Sequence, residues 1–214
     1  MVGCVLGGGT VVNATLWWKP NLSDWNINFP AEWKTADIAN ATSQVFSRIP
    51  ETDHSSMDGK RSLQDGFNLI RNDLSASGWK EVTANDVPAE KNRTFAHTPH
   101  MFSGGERGGP PATYIVSANP YQLPSMAEHE CGENVGKSLN DHFNTDIVVS
   151  HPNVSYYDRP AAWLTPILQD QQMYLQNRSG PLAQAALNIG SIFWEEIMGP
   201  DGIVRHAMAR TSWE

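Results

Sequence analysis

The chain has 214 residues, 40% of them hydrophobic and 18% charged, which fits a folded protein with a sizeable core and excludes a disordered one. Fifteen basic against twenty-three acidic residues leave a net charge of −8, so there is no electrostatic footprint for nucleic acid. No apolar run approaches the ~20 residues that cross a bilayer, and no membrane partner is expected.

In chain order, Val5 to Trp18 mixes glycine with β-branched and aromatic residues. This predicts a close backbone turn running into an extended or short helical piece. Residues 19–33 read as loop, punctuated by Pro20 and Pro30. Ile38, Ala41, Val45 and Phe46 recur at helical spacing, predicting a helix from Thr35 to about Arg48 that Pro50 closes. Leu63, Phe67, Ile70 and Leu74 form a second stripe, for a helix over 61–77 with Gly78 just past its end. The polar, Gly- and Pro-rich stretch 84–111 reads mostly as loop. Thr165 as N-cap with Pro166 behind it starts a third helix, which Asn177 and Gly180 end. Strands are expected at 145–150, 153–157 and 188–197. Strands and helices do not alternate as βαβ units, so the fold class is α+β.

The first chemical signal is Gly7-Gly8-Gly9-Thr10-Val11-Val12-Asn13. Consecutive glycines let a backbone approach a flat ring or a phosphate, and the Asn13 amide can donate to or accept from a ring edge. A glycine-rich turn with no ligand has the same signature, and no G-x-G-x-x-G fingerprint accompanies it. Cys131 to Ser138 imitates a phosphate-binding loop, but Cys131 stands where that loop needs glycine. Among seven histidines, His97 and His100 are three apart and His129 lies two from Cys131, yet no third and fourth ligand follow at metal-site spacing. Satisfied surface or loop histidines are the expectation, and no G-x-S-x-G nucleophile elbow is present. Trp17, Trp18, Trp25 and Trp33 cluster early, which suits either a core or stacking on sugar rings.

Cys4 and Cys131 allow one disulfide at most, and a bridge or two free thiols both fit. Six sequences match N-x-[ST], at Asn13, Asn21, Asn40, Asn92, Asn153 and Asn177, which suggests a glycosylated, secreted lineage. Residues 1–18 lack a basic n-region, and Gly7, Gly8 and Gly9 interrupt their apolar stretch, so no signal peptide is expected there.

Four long segments carry a resemblance: GCVLGGGTVVNATLWWKPNLSDW at 3–25, FSRIPETDHSSMDGK at 46–60, GWKEVTANDVPAEKNRTFAHTPHMFSGGERGGPPATY at 78–114 and LNDHFNTDIVVSHPNV at 139–154. Together they resemble the glucose–methanol–choline oxidoreductases, in particular the flavin-bearing part of cellobiose dehydrogenases. The resemblance implies an FAD-dependent oxidation of a CH–OH group in a small sugar or alcohol. It implies an extracellular setting and an antiparallel, helix-flanked substrate-side sheet; the chain departs from the family in that no complete FAD-binding Rossmann unit is expected in it. It places Gly8, Gly9, Thr10 and Asn13 against the flavin, with Arg107 in a Gly-rich turn that fixes the loop rather than touching substrate.

The departures shape further expectations. The sequence begins after the family's G-x-G-x-x-G unit and stops before its catalytic histidine region, and residues after Ser117 up to about Glu133 do not match. We therefore expect a 1–118 N-terminal-type segment, a 119–132 junction and a 133–214 substrate-side remainder, forming an incomplete chain with no catalytic residue and no metal ligand. FAD is expected to be held weakly or not at all. A non-catalytic carbohydrate-binding remnant is the alternative reading. Val11, Val12, Leu16 and Trp17 are expected to leave an apolar face that promotes self-association.

Overall fold

The structure, a computed structural model, describes residues 8–117, 150–184 and 188–212. After a single 3-10 turn at Gly8–Val11, the expected loop 19–33 contains a helix, α1 (Leu22–Asn28), which starts on a cap that Asn21 and Asp24 supply. Asn21 Oδ1 accepts from the Ser23 N–H at 2.9 Å, while Asp24 Oδ2 accepts from the Asn21 N–H at 2.7 Å. Helix α2 (Thr35–Arg48) spans the expected residues and ends where Ile49 turns extended ahead of Pro50.

Helix α3 (Asp65–Ala76) begins later than the apolar stripe suggests. Leu63 lies in the left-handed region at φ 54°, which interrupts a helix that its side chain alone would join. The far end is as expected: Gly78, at φ 80°, follows the C-cap Ser77 and reverses the chain.

The stretch 84–111 is mostly loop, but it contains a core strand. Strands β1 (Lys80–Glu81), β2 (Thr94–Ala96), β5 (Ile189–Met198) and β6 (Val204–Ser212) form one sheet in the order β1-β2-β5-β6. A separate hairpin pairs β3 (Phe102–Ser103) with β4 (Glu106–Arg107). The expected strand at 188–197 is thus β5. β6 was not foreseen: its sequence, VRHAMARTS, lacks an apolar core, and it is extended because β5 supplies its partner.

The main sheet is mixed, not antiparallel as expected. β1 and β2 run parallel, because the connection 82–93 brings the chain back before β2 begins, whereas the other two pairings are antiparallel. The fold is α+β. β2 belongs to the first expected segment and β5 to the last, so both segments build the same sheet.

Pleat alternation divides the core between two faces. Phe95 meets Phe67 of α3 at 6.4 Å between ring centres, and its cross-strand partner Phe193 meets Trp79 edge-on at 5.9 Å. On the other face Ala96, Ile192 and Trp194 close around Ala84, with Trp18 and Val82 against them. Phe95, Ala96 and Ile192 have no exposed surface.

Two other expectations need correction. Helix α5 (Leu168–Asn177) does end at Asn177 but does not start from Thr165. Asp158 caps an earlier short helix, α4 (Arg159–Leu164), and Thr165, which leaves helical geometry ahead of Pro166, ends it. Residues 153–157 are loop, not strand. The Asn188 amide takes both main-chain groups of Tyr157, at 2.8 and 2.9 Å, in place of a neighbouring strand. Most of the expected 145–150 strand lies outside the described residues.

The expected apolar face is only partly open. Val12 is exposed, whereas Val11, Leu16 and Trp17 are half-buried, and Trp17 stacks on Phe46 of α2 at 4.9 Å. Among the described residues no helix is long and apolar enough to cross a membrane.

Candidate functional site

The glycine-rich segment is held by three layers of main-chain and side-chain bonds. The Trp17 N–H donates to Pro99 O at 3.0 Å and the Met101 N–H to Thr15 O at 2.8 Å, docking residues 15–17 along 99–101. His100 in turn exchanges main-chain bonds with Thr52, at 2.9 and 3.0 Å. Thr15 is fully buried in the left-handed region at φ 62°, a costly conformation for a β-branched residue. Its N–H donates to Asn13 Oδ1 at 2.9 Å and its hydroxyl to Ala14 O at 2.6 Å, and these bonds hold it there.

Arg107 closes the arrangement. Its Nη2 donates to Asn13 O at 2.7 Å, and Nη1 reaches both Thr10 O and Asn13 Oδ1 at 3.3 Å. Arg107 is aimed by strand alternation: its neighbour Glu106 points the other way, where Oε1 accepts from Arg178 Nε at 2.6 Å. The β3–β4 turn brings this hairpin close to α5. A Cβ on Gly105, at φ 74°, would sit 2.6 Å from Arg178 Cβ and 2.6 Å from Arg178 O.

Gly8 and Gly9 open the 3-10 turn, Thr10 lies within it, and Asn13 follows. Gly9 is exposed, and a Cβ there would meet nothing within 4 Å among the described residues. Neither internal packing nor a positive φ therefore requires glycine at this position. The Asn13 amide has its Oδ1 committed to Thr15 and Arg107, which leaves Nδ2 as a donor without a partner among the described residues. The segment is a bare backbone ledge beside one fixed N–H donor. One exposed glycine and one free N–H donor can meet one edge of a flat ring bearing acceptor atoms.

A second cluster, not anticipated from the sequence, surrounds a cavity of about 30 Å³ with room for one or two waters. Asp53 accepts from Arg61 Nη2 at 3.0 Å and lies 2.6 Å from His54 Nδ1. Burial opposes ionisation of Asp53, but the His54 hydrogen bond and the Arg61 charge outweigh it and hold its carboxyl below the usual range. His97 stacks on Phe67 with ring centres 3.4 Å apart. Gln64 donates through Nε2 to Ser62 O, which turns its Oε1 toward His97, so His97 Nε2, 2.8 Å away, carries the proton. Burial, reinforced by the Arg61 charge, pushes the His97 pKa down to about 3. A histidine so disfavoured as a cation is a poor proton acceptor near neutrality, and the cavity is too small for a sugar. The cluster is structural.

A third feature is a cleft of about 700 Å³ between α1 and α2. Trp25 and Phe46 line it with the hydroxyl-bearing residues Thr35, Thr42, Ser43 and Ser47 along α2. Its size falls within the range of small-molecule sites.

The expected residues are thus partly united. Thr10, Asn13 and Arg107 meet in one bonded unit with Gly9 beside them, a contact between Arg107 and the glycine-rich segment that the sequence did not announce. His97 and His100 both line the small cavity rather than solvent, and each has a hydrogen-bond partner. Among the described residues no three His, Cys, Asp or Glu side chains could hold a metal. Cys4, His129, His142 and the Cys131–Ser138 sequence lie outside the described residues. No family model matches the chain.

Proposed function

We propose that this chain is the flavin-contacting and substrate-side portion of an FAD-dependent oxidoreductase acting on a CH–OH group of a sugar or alcohol, in an extracellular setting. One observation carries the reading. The GGGT-x-x-N segment has a glycine that the described chain does not need for itself, next to an amide whose orientation Arg107 and Thr15 fix. The resemblance to glucose–methanol–choline oxidoreductases read from the sequence is what names the flavin as the ring.

FAD, when bound, supplies the hydride acceptor for alcohol oxidation. The residues of this chain do the positioning. Gly8 and Gly9 admit the ring face, Asn13 Nδ2 donates to an acceptor on its edge, and Arg107 holds Thr10 and Asn13 in place. Placing a donor in advance, at no reorganisation cost, is how such contacts gain value. None of the described residues is assigned as the base that takes the substrate proton.

The reading is tested by titrating FAD with the purified chain and following fluorescence anisotropy. We expect weak, saturable binding that desalting reverses, and several-fold weaker binding by Asn13→Asp, which loses the donor. Equal affinity of Asn13→Asp and the parent chain, or no binding by either, overturns it.

A second reading rests on the α1–α2 cleft: carbohydrate binding without flavin. Trp25 offers an indole face, and the α2 hydroxyls offer donors and acceptors. Calorimetric titration with a β-linked glucose oligomer distinguishes it. Binding lost in Trp25→Ala but kept in Asn13→Asp favours this reading over the first.

A further inference from the structure

We propose that the outer edge of β6 is a dimerisation surface, where a second copy of this chain adds its own β6 antiparallel about a two-fold axis through Met208. β6 is the last strand in the order β1-β2-β5-β6, so among the described residues it is paired on one side only. An unpaired edge presents a row of N–H and C=O groups, which is a template for another strand.

The groups that face outward follow from strand alternation, counted across the sheet. Phe95 O accepts from the Val82 N–H at 2.9 Å, so the main chain of Phe95 faces β1 and those of Thr94 and Ala96 face β5. Their partners Trp194 and Ile192 therefore face β2, which leaves Phe193 and Glu195 facing β6. The Glu196 N–H agrees with this count, because it donates to Asn92 Oδ1, two residues ahead of β2. Phe193 pairs with Ala209 and Glu195 with Ala207, which turns the main chains of His206, Met208 and Arg210 to the open edge.

β6 lacks the features that keep an edge unpaired. It is nine residues long and contains no proline. Of its two arginines, Arg205 is turned back to Asp201, 2.6 Å away. Met208, the midpoint of the strand, is 50% exposed, and the small side chains of Ala207 and Ala209 beside it are exposed as well.

Charge selects a second copy as the occupant and sets the axis. His206 lies across from Glu196, with Nε2 3.4 Å from Oε1. Arg210 is on the same face, exposed and opposite Ile192, without an ion-pair partner among the described residues. A two-fold axis through Met208 overlaps all nine residues. It sets Arg210 of one protomer opposite His206 of its partner, with Glu196 next in the same row. Two strand spacings, about 10 Å between main chains, separate that carboxylate from Arg210, a span that two long side chains cover. Each Arg210 thus gains a counter-charge that its own chain does not offer. The inference is independent of the flavin reading, and it moves self-association to β6 from the half-buried Val11, Leu16 and Trp17.

The test is sedimentation velocity of the purified chain over a wide range of concentration. We expect a monomer–dimer equilibrium. Met208→Pro removes an N–H that the monomer does not use, at a position where an edge strand tolerates proline, so it should abolish the dimer and keep the circular dichroism spectrum. Arg210→Glu should weaken dimerisation several-fold without changing the fold. Ala207→Pro, whose N–H faces β5, should lower the melting temperature instead. A chain that stays monomeric at every concentration, or a dimer that either Met208→Pro or Arg210→Glu leaves intact, overturns the proposal. So does unfolding of Met208→Pro, or a melt of Ala207→Pro like that of the parent chain, because either would place the wrong groups at the edge.

Discussion

Arg107 grips Asn13 at two atoms, through Nη2 to the main-chain oxygen at 2.7 Å and through Nη1 to Oδ1 at 3.3 Å. The same guanidinium reaches Thr10 O, so one planar fork fixes the whole turn. Arg107→Ala should lower stability by about 1–2 kcal/mol, the scale of a few hydrogen bonds from a charged donor to partly exposed acceptors. Arg107→Lys should recover little of this, because an ammonium cannot span two acceptors with fork geometry. Urea unfolding of the three proteins checks it, and full recovery by lysine would refute the fork.

Gly104 and Gly105 both adopt positive φ, at 60° and 74°, but only Gly105 is crowded. Gly104→Ala should cost about 1 kcal/mol, from backbone strain alone. Gly105→Ala should cost at least about 3 kcal/mol, because Arg178 main chain blocks the new methyl. Thermal melts compare them directly. Equal losses would mean that the hairpin does not sit against α5 as described.

His97 makes stability depend on pH with a definite sign. Its folded pKa, about 3, lies below the unfolded value of 6.5, so the unfolded chain binds more protons between these limits. Stability from this group is full above pH 6.5 and is lost as pH falls toward 3. Between pH 7.5 and pH 5 the loss should be about 2 kcal/mol. His97→Gln should flatten that part of the profile. Asp53, with its carboxyl held low, acts later, as pH falls below the ordinary carboxylate range. An unchanged slope in His97→Gln would sink the assignment.

Ser191 is fully buried in β5, and its Oγ has no hydrogen-bond partner among the described residues. A buried hydroxyl without a partner carries a desolvation cost. Ser191→Ala should therefore be neutral or raise stability by up to about 1 kcal/mol. A loss greater than about 1 kcal/mol in chemical denaturation would show that the hydroxyl has a partner after all.

Elements with a local cause were legible in the sequence. α2 is legible because an apolar stripe and Pro50 agree. β5 was placed because its apolar run NIGSIFW stands out from its surroundings. Elements with a distant cause were not legible. β2 is three residues inside a polar stretch, and only its pairing with β1 and β5 makes it a strand. Leu63 fits the stripe of α3 yet takes a left-handed backbone, and nothing in its immediate sequence announces this. For the candidate site, the glycines and Asn13 suggested a close-approach turn at Gly7–Asn13, but the Arg107 contact spans more than ninety residues and was not foreseen. The His97 cluster was missed for the same reason: Asp53, Arg61, Gln64 and His97 meet only once α3 packs on the sheet.

The pairing of β2 with β5 also sets an order of events during synthesis. Thr94 aligns with Trp194 and Ala96 with Ile192, so the centre of the sheet joins residues about a hundred positions apart. Closing so long a loop carries an entropic penalty before any contact rewards it. A ribosome-bound chain that has not yet released β5 has two of its four main-sheet strands, of two and three residues, and Phe95 and Ala96 lack their partner. Its first half must wait, unprotected, for its last quarter. A stall or cleavage in that interval would leave a species in need of chaperones, even though most of its helices were already encoded and exposed.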